Sequence, residues 1–204
     1  MKHVVFYVSA ASDLSLEREV LGRAASEVPV DVGWRVVQSP AGNGPVDLEA
    51  IGEADLHVLL MGGDIRAPVG LEWQVARQMG RRPVVLLKEG VRRTPAGQDF
   101  IKLVQQVQPW ELYAGAVDLR RKVLTRLADA ILDDAAAYVL SPEEIGTLVA
   151  WRDHLKAVEG TLEDQARGAG DSSVLLSRQR PDVQGGVLIE GPPNARPRRS
   201  GERR

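Results

Sequence analysis

The sequence predicts an α/β fold with a central parallel sheet and helices on both faces. Two observations carry that expectation. Short apolar runs rich in β-branched residues recur along the chain, each followed by a segment of helical period. Clusters of Gly, Pro and Ser separate them. Strands that alternate with helices pair in parallel, because the crossover helix returns the chain to the same end of the sheet.

Val4 to Val8 reads as a buried strand, too short for a helix. Ser9 to Ser12 is a small polar loop, and Ser12 is placed to cap the next helix. In that helix Leu14, Leu21, Ala24, Ala25 and Val28 share a face, and Pro29 marks its end. Glu17 and Arg18 lie near that face and read as a structural pair. Trp34, Val36 and Val37 make a second strand, stopped by Ser39-Pro40. A short helix follows over Val46 to Glu53, then a third strand over Leu56 to Met61, closed by Gly62-Gly63. Helical period returns from Val69 to Met79, and Val84 to Leu87 is a fourth strand. Residues 95–106 read as a helix, and Val107 to Leu112 as a short fifth strand. From Val117 to Val139 the period is helical, with Leu119, Val123, Leu127, Ile131, Ala135 and Tyr138 on one face. Five such units predict the flavodoxin-like strand order 2-1-3-4-5, given right-handed crossovers. This domain covers residues 1–139.

Ser141-Pro142-Glu143-Glu144 starts one more helix, expected over 141–160, with Ile145, Leu148 and Leu155 on a face that docks on the domain or on a partner. Residues 161–204 are expected to be a largely disordered tail, rich in Gly, Pro, Arg and Ser. Val174-Leu175-Leu176 and Val187-Leu188-Ile189 are apolar islands within it, suited to a loose hairpin or to short binding motifs.

The formal net charge is −2, from 26 basic and 28 acidic residues, which gives no global attraction to nucleic acid. There is no cysteine, so disulfides, thiolate metal sites and a cysteine nucleophile are excluded. No apolar run approaches the ~20 residues that span a bilayer, and the N-terminus has no signal-peptide pattern. The expected location is the cytoplasm. His3, His57 and His154 have no ligand spacing on one element, so no metal site and no cofactor are expected.

In an open parallel sheet, ligands sit beyond the carboxyl ends of the strands where the order reverses. Here that point lies between strands one and three, under the loops Ser9–Asp13 and Gly62–Gly70. Glu72 begins the helix after the second loop, and a glutamate there can act as nucleophile or stabilise a cationic transition state. Ser9, Gly62, Gly63, Asp64 and Trp73 are the accompanying binding candidates. Trp73 offers a stacking face unless it points into the core. An acidic residue in a first helical turn also has a purely structural explanation, worth about 0.3–1 kcal/mol. Ser9 is a conceivable nucleophile, but no base can be assigned to it. Asp55, at the start of the third strand, braces a turn instead.

The layout of Val5-Phe6-Tyr7-Val8-Ser9, Asp13-Leu14 and Glu17-Arg18 resembles the start of domain-of-unknown-function family 4062. Ala54 to Gly63, Gly70 to Ala76 and Gly80 to Val84 continue the likeness, over roughly residues 3–132. That family is similar to TIR domains and nucleoside 2-deoxyribosyltransferases. The resemblance implies that Glu72, four residues before Ala76, is the catalytic carboxylate. It implies cleavage of the N-glycosidic bond of NAD or a nucleotide in prokaryotic signalling or defence, switched on by self-association or a partner. The alternative it leaves open is a non-catalytic signalling or adaptor module, binding proteins through its last helix and tail or sensing a nucleotide.

Overall fold

The computed structural model describes residues 2–40 and 44–171. Five parallel strands form one sheet in the order β2-β1-β3-β4-β5, the flavodoxin-like order expected. The strands are β1 (His3–Ala10), β2 (Gly33–Gln38), β3 (Leu56–Met61), β4 (Val84–Lys88) and β5 (Glu111–Tyr113). The helices are α1 (Ser15–Ala24), α2 (Leu48–Glu53), α3 (Val69–Gln78), α4 (Pro95–Gln105), α5 (Ala116–Asp133) and α6 (Pro142–Asp171).

Both faces of the sheet are covered, which explains why β1 and β3 read as unbroken apolar runs. Phe6, Val8, Leu56, Val58 and Leu60 pack against α1 and α5 on one side. Val5 and Tyr7 meet Ala50 and Ile51 of α2 and Ala76 of α3 on the other, and Leu59 and Val85 meet Trp73 of α3 and Val104 of α4. Asp55 accepts the Val5 amide at 2.7 Å and an ion pair from Lys2, and so ties the start of β3 to the start of β1.

Several boundaries differ from the sequence reading. Ser12 is not a cap: it lies inside a 3-10 turn, Ser12–Leu14, and Ala11 precedes it without a side-chain cap. Ser9 belongs to β1 rather than to the loop. Glu17 and Arg18 do not pair, because neighbouring helical positions point in different directions. Glu17 instead meets Lys88 at 2.5 Å, and Arg18 donates to the carbonyls of Ala10 and Ser39. β5 starts only at Glu111, since Val107 and Gln108 still donate to the Val104 carbonyl and the Trp110 ring nitrogen to that of Ile101. Helix α5 stops at Asp133, short of Val139, where acidic Asp133 and Asp134 oppose the negative pole of the helix. Val139 then takes a positive φ of 59° and the chain reverses.

Helix α6 opens with the expected capping box: the Ser141 hydroxyl accepts the Glu144 amide, and the Glu144 carboxylate accepts the Ser141 amide at 2.8 Å. It docks on the domain, with Leu148 buried beside Ile131, Ala128 and Tyr138. It continues past residue 160 to Asp171, into the stretch expected as tail; an isolated glycine such as Gly160 only weakens a helix. The two apolar islands lie outside the described residues. Among the described residues no helix is long and apolar enough to cross a membrane.

Candidate functional site

The strand order reverses between β1 and β3, and a cleft of about 570 Å³ opens there at the carboxyl ends of the strands. Ala10, Ser12, Arg18, Gln38, Arg66 and Pro68 are among its lining residues. An adjoining apolar groove of about 690 Å³ shares Arg66, Ala67 and Pro68 and is walled by Pro45, Leu48 and Leu71.

Glu72 is not in the wall of this cleft and has no exposed surface. Burial of a carboxyl group demands donors, and it has two. The Tyr7 hydroxyl donates to Oε1 at 2.9 Å and the Ser39 hydroxyl to Oε2 at 2.6 Å. Burial, then the charge of Glu72, hold the Tyr7 hydroxyl well above the usual tyrosine range, so it remains a donor. Ser39 sits between Gln38 and Pro40, which both line the cleft. Its hydroxyl also accepts the Ala10 amide at 3.2 Å, and its carbonyl accepts Arg18 at 2.6 Å. The serine is itself buried and lies outside the cleft lining, bonded to Glu72 and adjacent in the chain to two residues that do line it.

A second buried polar pair lies on the same face of the sheet. Ser9 Oγ is 2.8 Å from His57 Nε2, and the imidazole stands edge-on to Tyr7 with ring centroids 4.9 Å apart. Burial pushes the His57 pKa down to about 4, so it is neutral at pH 7. His57 Nδ1 has no partner among the described residues. Ser9 therefore does have an imidazole neighbour, which sequence reading did not supply. Both residues are buried, however, and neither lines the cleft.

The other candidates are dispersed. Trp73 is 2% exposed and packs edge-on against Phe100, with the Arg77 guanidinium over its ring; it points into the core and offers the cleft no stacking face. Asp64 accepts the Thr94 hydroxyl and the Ile65 amide, a loop brace. A side chain at Gly62 would collide with Leu14 Cδ2 at 2.9 Å, and one at Gly63 would crowd the Arg92 carbonyl at 3.2 Å. These glycines let the loop close against its neighbours, and neither lines the cleft. Among the described residues no group of histidine and acidic side chains is arranged to hold a metal ion.

Sequence reading missed Tyr7, Ser39, Arg18 and Arg66. One signal was available: after His3 at its start, Tyr7 and Ser9 are the polar-tipped residues of an otherwise apolar strand, two apart and hence on one face. Ser39 carried none, because Ser-Pro after a strand reads as a stop. The chain matches no family model, no curated protein and no solved structure.

Proposed function

We propose that this chain is a TIR-like, deoxyribosyltransferase-like domain that cleaves the N-glycosidic bond of NAD or a nucleotide, with Glu72 as its catalytic carboxylate. One observation carries the reading. An acidic side chain is kept, at the desolvation cost of burial, in the first turn of a helix whose first residue, Val69, lines a cleft at the point where the strand order reverses. The resemblance of residues 3–132 supports the same choice of residue.

Breaking such a bond sends the electron pair of the C–N bond to the departing base and leaves positive charge on the sugar. A carboxylate beside the anomeric carbon stabilises that charge, or bonds to the carbon until water or an acceptor alcohol replaces it. Tyr7 holds one oxygen in place throughout. The Ser39 hydroxyl must rotate off the other before a sugar reaches it, which fits activation by self-association or by a partner.

The test is incubation of the full chain, dilute and concentrated, with NAD and with nucleosides, followed by chromatography of the released base. Base release is expected from the native chain, with at least a hundredfold loss in Glu72→Gln, a loss of the order seen when a group stabilising transition-state charge is removed. Gln keeps the shape and can still accept from Tyr7 or Ser39. Release that survives the substitution, or no release under any condition, removes the proposal.

A second reading is a non-catalytic signalling or adaptor module. It is favoured by the same bonds viewed differently: both oxygens of Glu72 are satisfied within the fold, as in a structural brace joining α3 to β1 and to the end of β2. Under that reading no turnover occurs, and Glu72→Gln changes stability alone.

A further inference from the structure

We infer that the cleft is a phosphate subsite built on Arg66 and Arg18, so that the substrate of the proposed reaction is a phosphorylated nucleotide and not a free nucleoside. The inference rests on the proposed function for what happens next to the ligand, but the binding it predicts stands apart from turnover.

Two guanidinium groups line one cleft, and neither has a carboxylate partner among the described residues. Arg18 spends two of its five donors on the carbonyls of Ala10 and Ser39. Those bonds hold the side chain in place without neutralising it. Arg66 is exposed and reaches only the Ser12 hydroxyl, at 3.4 Å. The acidic groups nearby are engaged elsewhere. Glu19, also in the lining, pairs with Arg23 at 2.6 Å, and Asp13 accepts the Gly63 amide. Ser12 in the preceding 3-10 turn and Ser15 at the start of α1 add hydroxyls to the lining, at the end of α1 that carries its positive pole. Planar guanidinium groups with free donors suit phosphate oxygens.

The neighbouring groove completes the ligand. Its Leu48 and Leu71 are 48% and 53% exposed, and Arg66 borders both spaces. A ligand with phosphate at one end and a flat apolar ring at the other spans the two. Other arginines do not share this setting. Arg77, Arg81 and Arg82 lie at the far end of α3, where the negative pole of the helix accounts for them.

Calorimetric titration of the full chain with ADP, adenosine and inorganic phosphate tests this. ADP is expected to bind at least tenfold more tightly than adenosine, and excess inorganic phosphate to weaken ADP binding. Arg66→Gln is expected to lower ADP affinity about tenfold, the loss of one charge-assisted contact, while leaving adenosine unaffected. Arg82→Gln is expected to change neither. Arg66 is used because Arg18 also holds the backbone. Equal affinity for ADP and adenosine, or an Arg66→Gln chain that binds ADP as before, overturns the inference. ADP binding without base release from any substrate would sink the proposed reaction alone, whereas release from free nucleosides without phosphate preference would sink the subsite alone.

Discussion

Glu72 and His57 face the same side of the sheet, and both are polar groups removed from water. Their energetics differ in kind. Glu72 depends on its donors, so Tyr7→Phe takes the hydroxyl from Oε1 and leaves a buried oxygen unsatisfied. That variant is expected to lose about 1–3 kcal/mol of stability in denaturant titration; an unchanged midpoint would show that the bond contributes nothing. His57 depends on remaining neutral. The unfolded chain takes up a proton at this ring as pH falls through about 6.5, whereas the folded protein resists until about 4. The stability conferred by the neutral ring is therefore full above pH 6.5. It is lost progressively between pH 6.5 and 4, by up to roughly 3 kcal/mol. Stability measured across that window should fall less steeply in His57→Gln than in the native chain, and equal slopes would refute the assignment.

Among the elements, the helix pair α5–α6 shows how an apolar stripe finds its partner. Leu119, Val123, Leu127 and Ile131 recur at helical spacing, and all four are fully buried. Their pattern was legible because a long helix against a sheet must keep one face dry. Where α5 ends was not legible, since Ala135 and Tyr138 prolong the same spacing beyond Asp133. Tyr138 is nevertheless buried, delivered to the core by the turn that follows. Leu148 of α6 closes this region, and Leu148→Ala is expected to cost about 2–5 kcal/mol by lost burial and cavity formation. A melting temperature equal to that of the native chain would mean that α6 contributes no core. The start of α6 was legible to the residue, because a capping box uses only groups within one turn.

Over the whole molecule, the strand order sets the cleft, and the cleft then selects which residues can meet a ligand. Strand periodicity and the crossover rule were enough to foresee both the order 2-1-3-4-5 and the crevice between β1 and β3. The amino-acid sequence by itself thus determined the layers, the sheet and the end of it that carries the cleft, since these follow from local periods and chain handedness. Only the tertiary structure decided that Glu72 is bonded to Ser39, that Trp73 turns to Phe100, and that Arg18 and Arg66 line one space. Those outcomes depend on how a helix is rotated against its sheet and on which loops close over it. Rotation and closure are settled by contacts between residues far apart in the chain, such as Ser39 with Glu72, and no local pattern encodes them.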